Sequence, residues 1–379
     1  MASFRWPARI GNTASLVLGL LHCRLGMAAE TLPPEADRWF DPPPQVFLER
    51  SYIIWGAPPT GPSEKNPRLL FEAGVAPHFF IYENLSDRLA RGVSGFAWAL
   101  PFTFETTLRM FAVESAPVRM PSYMPRIRGQ LFYTWIPTQA DRDRRNRAGE
   151  PLGFRILGIT AGLNHHSNGQ EGCRYQREVD GSVQCVDDEA QPDSAELADL
   201  LNRRGADFGT NYLSVAVDYR WGELTEHDYI ASSWELGLQG ELHPVGFLVG
   251  GMDRQTADTY GQVRLRARIE ATQGAVCWKL REQLGIVNAF GGGDDVFPAT
   301  MWLEGAATRP DRGGLGGFVR VVYGRDYYNA FFVDEIFQFQ AGLTFEQGAP
   351  LEFSRPNAGA GATQRPVPGT PPDDPFARR

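Results

Sequence analysis

The stretch that decides the fold runs from Phe154 to Gly169 and reads F-R-I-L-G-I-T-A-G-L-N-H-H-S-N-G. If this stretch is a β-strand, its side chains alternate between the two faces of a sheet. One face then carries apolar side chains as far as Leu163 and continues with His165 and Ser167. The histidine and the serine therefore lie next to each other on the apolar face. An imidazole and a hydroxyl in this arrangement are close enough to form a base and a nucleophile.

The composition permits a membrane-embedded β-structure and argues against nucleic-acid binding. The chain has 379 residues and a formal net charge of −8, without the basic patch that nucleic acids require. Its mean hydropathy is −0.31, and no apolar run reaches the roughly eighteen residues that a transmembrane helix needs. Transmembrane β-barrels are also hydrophilic on average, because every second strand residue faces a polar interior. An aromatic content of 12% and 41 glycines fit the girdles and tight turns of such a barrel.

Alternating segments separated by turns predict an all-β fold, a transmembrane antiparallel β-barrel of about twelve strands. In one of them, Arg264, Arg266 and Arg268 alternate with apolar residues. Because buried arginines need partners, we expect them to face an acidic row inside the barrel and to fill its interior with polar side chains. A soluble β-sandwich that turns them toward water is the alternative. The strands are predicted at 69–82, 93–104, 105–113, 124–136, 155–166, 210–221, 231–242, 262–272, 275–288, 299–307, 317–331 and 336–345. The segment 243–260 is left as a candidate for a further strand pair.

The sequence divides into four segments. Residues 1–28 resemble an export signal, with a basic start, a short apolar core and a small-x-small cleavage site. Residues 29–68 form a proline-rich arm, and residues 69–345 form the barrel. Residues 346–379 are rich in proline, glycine and alanine and are predicted to be disordered. An export signal followed by a barrel predicts a location in the bacterial outer membrane.

The motif Asn164-His165-x-Ser167-Asn168-Gly169 resembles the signature of the outer membrane phospholipase A family. The resemblance extends more weakly over residues 68–345. It implies that Ser167 is the nucleophile, that His165 is its base, and that the protein hydrolyses acyl esters of membrane phospholipids. Without the full motif, two histidines and a serine in a polar surface turn would be the simpler interpretation.

The same resemblance implies a third group, an asparagine on the neighbouring strand, and Asn211 matches it. Periodicity places Asn211 on an apolar face with Leu213 and Val215, at the start of the strand that follows in sequence. A neutral amide costs less than a carboxylate on a lipid-facing surface. A turn residue that closes the loop is the alternative role for Asn211. The family's oxyanion donor corresponds to the backbone N–H of Gly169.

A calcium ion is also implied by the resemblance, since the family uses calcium to complete the oxyanion site. Ser115 matches one position of the family's calcium loop. Oxygen ligands could also come from the long loop that follows Gly169, because calcium takes six to eight hard ligands. The candidates there are Glu171, Asp187, Asp188 and Asp193. A solvated acidic loop is the alternative.

Two cysteines of this same loop, Cys173 and Cys185, are twelve residues apart. In an oxidising compartment, a local disulfide is the expected pairing. Metal binding is the weaker interpretation, because no histidines flank the two cysteines.

A homodimer is the expected assembly. A triad on an outward barrel face has only one wall of a substrate pocket, and a second barrel packed against Leu163, Leu213 and Val215 would supply the other. The family resemblance implies the same arrangement. The alternative functions are a lipid A deacylase, whose smaller barrels also use a His-x-Ser pair, and a non-catalytic barrel or channel.

Overall fold

The computed structural model describes residues 46–56, 69–111, 118–148, 152–186, 199–202, 205–224, 230–249, 251–252, 254–273, 277–287, 299–309, 314–328, 331 and 334–346. The predicted export signal, most of the proline-rich arm and the predicted C-terminal tail lie outside these residues. Within them, no helix combines the length and the apolar composition needed to cross a bilayer.

Most of the described chain is β-strand. The strands there are β1 (Ser51–Gly56), β2 (Leu69–Val75), β3 (His78–Glu83), β4 (Gly95–Phe111), β5 (Val118–Trp135), β6 (Leu152–Ser167), β7 (Gln176–Val179), β8 (Ser182–Cys185), β9 (Gly209–Leu224), β10 (Ile230–Leu242), β11 (Val263–Gln273), β12 (Cys277–Val287), β13 (Ala299–Arg309), β14 (Leu315–Arg325) and β15 (Glu335–Phe345). The helices there are α1 (Leu85–Arg91), α2 (Gln139–Ala148) and α3 (Arg254–Tyr260).

Twelve of the strands in the described chain form an antiparallel barrel, as the sequence predicts. From β4 to β15, sheet neighbours follow one another in chain order, with β6 paired directly to β9. The ring is completed by β1, which pairs with β15 on one side and with β2 on the other, and by the pairing of β2 with β4. β3 continues along β4 beyond the end of β2. β7 and β8 form a separate hairpin in the loop between β6 and β9.

The barrel differs from the predicted strands in four places. The predicted strand 69–82 is divided into β2 and β3 at Ala76 and Pro77. β1 lies within the segment predicted as a proline-rich arm, because Tyr52-Ile53-Ile54-Trp55 is apolar and contains β-branched residues that favour a strand. The predicted strands 93–104 and 105–113 are a single strand, β4, whose pairing with β5 continues through Phe104 and Glu105. The added strand β1 and the merging of two predicted strands into β4 cancel, so the barrel still has twelve strands. The segment 243–260 contains α3 instead of a strand pair.

Side chains alternate between the outside and the inside of the barrel along β6 and β9. On the outside, Ile159 and Leu163 of β6 lie beside Leu213 and Val215 of β9, and all four are exposed. The intervening residues are mostly buried in the interior. The outer surface of this part of the barrel is therefore apolar, and the site residues lie at its end.

The interior carries the charges that the alternation predicted. Arg268 pairs with Asp218 at 3.0 Å and with Glu235 at 2.6 Å, and Arg266 pairs with Glu241 at 3.2 Å. The prediction of an acidic row facing these arginines inside the barrel is confirmed for Arg266 and Arg268, whereas Arg264 donates a hydrogen bond to the hydroxyl of Tyr260. Paired in this way, the charges avoid the large penalty of isolated burial.

The chain before β1 also occupies the interior. Glu49 accepts hydrogen bonds from Arg128 at 2.5 and 2.7 Å and is paired with Arg126, two inward-facing residues of β5. Phe47 packs against Phe132, with ring centroids 6.3 Å apart. Around Phe47 lies a buried apolar cluster that includes side chains of α1. The cluster is at the end of the barrel where β5 ends and β6 begins, opposite the end that carries Ser167. The interior is thus filled by ion pairs along the strands and by apolar side chains at one end.

Candidate active site

The site forms where β6 ends and β9 begins. These antiparallel neighbours are in a register that makes His165 the direct partner of Asn211 and Ser167 the partner of Gly209. His165 and Ser167 are half-buried on the outward side of the barrel, whereas Asn211 is buried. The structure therefore brings the three predicted site residues to one end of one face.

One hydrogen bond joins His165 to Asn211. The imidazole Nδ1 lies 2.7 Å from the amide Oδ1 of Asn211. The amide nitrogen Nδ2 of Asn211 donates to the backbone carbonyls of Phe247 at 2.7 Å and Val249 at 3.0 Å. Since both carbonyls can only accept, the amide must place its nitrogen toward them and its oxygen toward His165. Nδ1 of His165 is then the donor, which leaves Nε2 as the basic nitrogen.

Ser167 occupies the next position on the same face as His165. Its cross-strand partners are Gly209 on β9 and Tyr123 on β5. Within the described chain, the Ser167 side chain makes no hydrogen bond, so its hydrogen bond to His165 is not formed in this structure. Contacts of this kind are often long without substrate and shorten when it binds.

His166 lies on the opposite face, inside the barrel. It is buried, its Nε2 is 3.2 Å from Ser122 Oγ, and its ring packs on Phe208 at 4.8 Å. His243, which follows β10, is also buried, and its Nδ1 lies 3.1 Å from Thr210 Oγ1. Burial lowers the pKa of His243, against the opposing influence of Glu241. Both imidazoles contact inward-facing strand residues, whereas Ser167 is on the outward face.

Asn168 holds the turn that follows the serine, a role that the sequence analysis did not assign. Its Nδ2 donates to Ala206 O at 2.6 Å, and its Oδ1 accepts from the N–H groups of Phe208 and Gln170 at 3.0 and 3.2 Å. The turn passes through Gly169 in the left-handed region, at φ 65°, which favours glycine. In the described chain, the Gly169 N–H has no acceptor, as an oxyanion donor requires.

The loop between β6 and β9 contains the two predicted disulfide cysteines. The sulfur atoms of Cys173 and Cys185 are joined, and their Cα atoms are 5.6 Å apart. The bond links the start of the loop to the end of the β7–β8 hairpin. Asn202 also ties this segment, since its side chain donates to Cys173 O at 2.9 Å.

Calcium ligands are not assembled in the part of the chain that the structure describes. Of the candidates, Ser115, Asp187, Asp188 and Asp193 lie outside the described residues, and Glu171 is exposed. Among the described residues, no three acidic, histidine or cysteine side chains come together to hold a metal ion. The described residues alone do not form a calcium site, so no catalytic step is derived through the ion.

The carbonyls of Phe247 and Val249 are the second feature that sequence reasoning missed. Every residue carries a carbonyl, so side-chain type gives no sign of this role. A weaker indication is the glycine-rich sequence Gly246-Phe247-Leu248-Val249-Gly250-Gly251, which predicts a tight turn near the strand end.

The fold and the site define a twelve-stranded barrel with a serine, a histidine and an asparagine on its outer face. No protein-family model matches the chain, and no curated protein matches it. Among solved structures, an active-site mutant of outer membrane phospholipase A from Escherichia coli is 13% identical, with a TM-score of 0.48 over 83% of this chain and 95% of that chain. The same E. coli protein in another structure is 12% identical, with a TM-score of 0.46 over 79% and 93%.

A third similar structure is the Salmonella typhi outer membrane phospholipase dimer with bound calcium. It is 12% identical, with a TM-score of 0.46 over 79% of this chain and 91% of that chain. At this identity the likeness concerns the fold alone, and the activity of this chain has to be argued from its own residues.

Proposed function

We propose that this protein is an outer membrane phospholipase that hydrolyses acyl ester bonds with Ser167, His165 and Asn211. The observation that carries the proposal is the 2.7 Å hydrogen bond from His165 to an Asn211 amide whose orientation is fixed by two carbonyls. This arrangement leaves Nε2 of His165 basic, on the same strand face as Ser167. A serine, a base and a group that orients the base are the components of nucleophilic acyl transfer.

The outer surface supports a membrane location. Aromatic residues gather near the strand ends opposite Ser167. There, exposed Phe96 is the cross-strand partner of half-buried Tyr133, and exposed Trp234 is the partner of half-buried Trp221. Ring centroids of Phe96 and Tyr133 are 4.8 Å apart. Aromatic girdles that flank an apolar band are typical of outer-membrane barrels. The ester would therefore reach Ser167 laterally, from the lipid layer.

The chemistry follows from the positions of the polar groups. Nε2 of His165 takes the proton of Ser167 Oγ as the oxygen attacks the ester carbonyl. The Gly169 N–H donates to the negatively charged oxygen of the tetrahedral intermediate. His165 then gives the proton to the departing alcohol, the lysophospholipid. Water, activated by the same imidazole, hydrolyses the acyl-serine and releases a fatty acid.

Asn211 gives His165 its tautomer without placing a full charge on the outer face. An amide stabilises an imidazolium less than a carboxylate does, so we expect slow turnover compared with aspartate-containing triads. The amide costs less to expose to hydrocarbon than a charged group.

The proposal includes calcium and a dimer, both implied by the motif resemblance. Ser115 and the acidic loop residues remain the candidate ligands. Exposed Leu163, Leu213 and Val215 form the apolar patch against which a second barrel would pack. Such packing would supply the second wall of a substrate groove and exclude water from it.

A channel is disfavoured by the interior, because ion pairs and the segment at Phe47 and Glu49 occupy it. A lipid A deacylase would use the same serine and histidine on a different substrate. The test is acyl release from phosphatidylcholine and phosphatidylethanolamine vesicles by detergent-purified, reconstituted protein, with lipid A as a separate substrate and Ser167→Ala as control. Release from phospholipid that Ser167→Ala abolishes supports the proposal. Release from lipid A alone favours the deacylase, and a bilayer conductance without hydrolysis favours the channel.

A further inference from the structure

The segment that orients Asn211 also presents apolar side chains to its surroundings. This rim loop, residues 244–249, folds over the outer end of β9, where its carbonyls accept both N–H groups of the Asn211 amide. Its tip is exposed. Leu248 is exposed, and Val249 is 99% exposed. One short loop therefore combines a buried contact with the triad and an apolar tip directed away from the chain.

The residues around this tip are also exposed and apolar. Asn211 is on the outward face of β9, and the next outward residues, Leu213 and Val215, are exposed and apolar. Leu242, the last residue of β10 before the loop, is also exposed. The tip is thus continuous with the apolar outer surface of the barrel, which faces hydrocarbon wherever the proposed second barrel does not cover it. Exposed leucine and valine side chains gain free energy when they leave water for that hydrocarbon.

We propose that the rim loop is a positioning element seated in the lipid layer, where its inserted tip holds the carbonyls of Phe247 and Val249 on Asn211. The inference rests on the proposed function, since it assigns a membrane-dependent alignment to the same triad. In the lipid-seated state, Asn211 keeps its oxygen toward His165. When the tip is displaced, the amide loses its two acceptors and the imidazole loses its fixed tautomer.

The backbone of the loop is constrained in a way that links its tip to the triad. Leu248 has φ 60°, a left-handed conformation that is unfavourable for a leucine. Gly251 packs so closely that an added Cβ would lie 2.7 Å from both the nitrogen and the oxygen of Phe247. That oxygen is the acceptor for Asn211, so a side chain at residue 251 forces the backbone at Phe247 and residue 251 apart.

The first experiment changes the tip. Val249→Asp opposes insertion into hydrocarbon. Val183→Asp places the same charge on an exposed valine of the β7–β8 hairpin and serves as the matched control. On phospholipid vesicles we expect Val249→Asp to lower kcat by about 100-fold, the effect of misplacing a catalytic group by about 1 Å. KM should change much less, and Val183→Asp should match the wild type. Equal rates for the wild type and Val249→Asp would overturn the lipid-dependent role.

The second experiment moves the carbonyl from the other side. Gly251→Ala is compared with Gly305→Ala, because a Cβ at Gly305 on β13 would meet no heavy atom within 4 Å. We expect Gly251→Ala to lower kcat to a similar degree while Gly305→Ala leaves it unchanged. Heat-modifiable mobility on gels verifies that both barrels are folded. A folded, fully active Gly251→Ala protein would contradict the positioning role.

A third measurement requires no hydrolysis. A nitroxide is attached at Val249→Cys in a background in which Cys23 and Cys277 are serine, and Val183→Cys in the β7–β8 hairpin is the aqueous control. In vesicles we expect the label at residue 249 to collide more with oxygen than with a water-soluble nickel complex, and the label at 183 to do the reverse. A nickel-dominated label at 249 would refute the seating in lipid.

The last measurement also separates the two proposals. A wild-type protein that releases no acyl chain from any phospholipid overturns the proposed function and the positioning role together. A label that is buried in lipid on an active enzyme, combined with an impaired Val249→Asp variant, supports both.

Discussion

His165 and Asn211 are direct cross-strand partners on β6 and β9, and 2.7 Å separates the imidazole Nδ1 from the amide Oδ1. Antiparallel pairing alone brings two residues 46 positions apart in sequence to this distance. The register also places Ser167 at the end of the same face, so all three residues of the proposed triad lie on the outward side of the barrel.

The first prediction tests which histidine is the base. His165→Ala should lower the rate of ester hydrolysis about as much as Ser167→Ala does, by about 10⁴-fold or more, because members of a triad act as a unit. His166→Ala is the matched control. Its ring lies inside the barrel beside Ser122, so most of the activity should remain. Equal losses at the two histidines in acyl-release assays would disprove the register.

The second prediction concerns the amide. Asn211→Ala should reduce kcat by less than Ser167→Ala does, since His165 retains some function without its orienting partner. Asn211→Asp should not improve catalysis, because a carboxylate cannot donate to the carbonyls of Phe247 and Val249. Leaving these acceptors unpaired costs about 1–3 kcal/mol each where they are buried. An Asn211→Asp variant with raised kcat and unchanged thermal stability would show that the carbonyls do not set the orientation.

Alternation along the strands is the part of this site that the sequence makes predictable. On β6 and β9, the residues that face out are apolar and those that face in are packed against interior groups, so the period of two is clear. It identified the face of His165 and Ser167 correctly and placed Arg266 and Arg268 inside. The alternation of apolar and polar residues predicts which face a side chain occupies where the two sides of a strand are in different environments.

Other features depend on contacts that no local pattern contains. β1 is a six-residue strand whose pairing with β15 spans almost the whole barrel sequence. The start of α2 could have been anticipated from Thr138 and Asp141, which have the spacing of a capping box. In the structure, the backbone N–H of each residue donates to the side chain of the other. The acceptors of Asn211 are backbone atoms, which sequence does not distinguish, and Ser115 lies outside the described residues.

The third prediction is that Cys173 and Cys185 are disulfide-bonded in the exported protein. The ring that they close should stabilise the loop by about 3 kcal/mol on the chain-entropy estimate. Mass spectrometry after alkylation without reduction measures the bond directly. Two alkylated thiols in non-reduced, folded protein would exclude it.

The fourth prediction concerns the interior ion pairs. Arg109 is almost fully buried and pairs with Glu72 at 2.5 Å and Asp326 at 2.7 Å. Arg109→Met should destabilise the barrel by about 3–5 kcal/mol, because it leaves buried carboxylates without a counter-charge. Urea unfolding in detergent measures the change. Arg144→Met on α2 is the control, since its pair with Asp141 is largely exposed and worth about 0–1 kcal/mol. Similar losses of stability in the Arg109→Met and Arg144→Met variants would argue against the tightly paired interior.

The fifth prediction addresses calcium and assembly. Chelation should suppress hydrolysis, and added calcium should restore it. Dilution in detergent should lower specific activity as the dimer fraction falls, measured by cross-linking or light scattering. Leu213→Ser at the exposed apolar patch should shift this dependence to higher protein concentration. Specific activity that is independent of both chelator and protein concentration would remove calcium and the dimer from the account but leave the serine mechanism intact.

The central claim is that Ser167 forms an acyl intermediate on the outer face of the barrel. A long-chain alkyl fluorophosphonate tests it most directly, because the reagent stays covalently bound to an activated serine. Digestion and mass spectrometry should locate the adduct at Ser167 in the wild-type protein, and His165→Ala should prevent its formation. An enzyme that hydrolyses phospholipid but carries no adduct at Ser167, or carries it at another residue, would contradict the account.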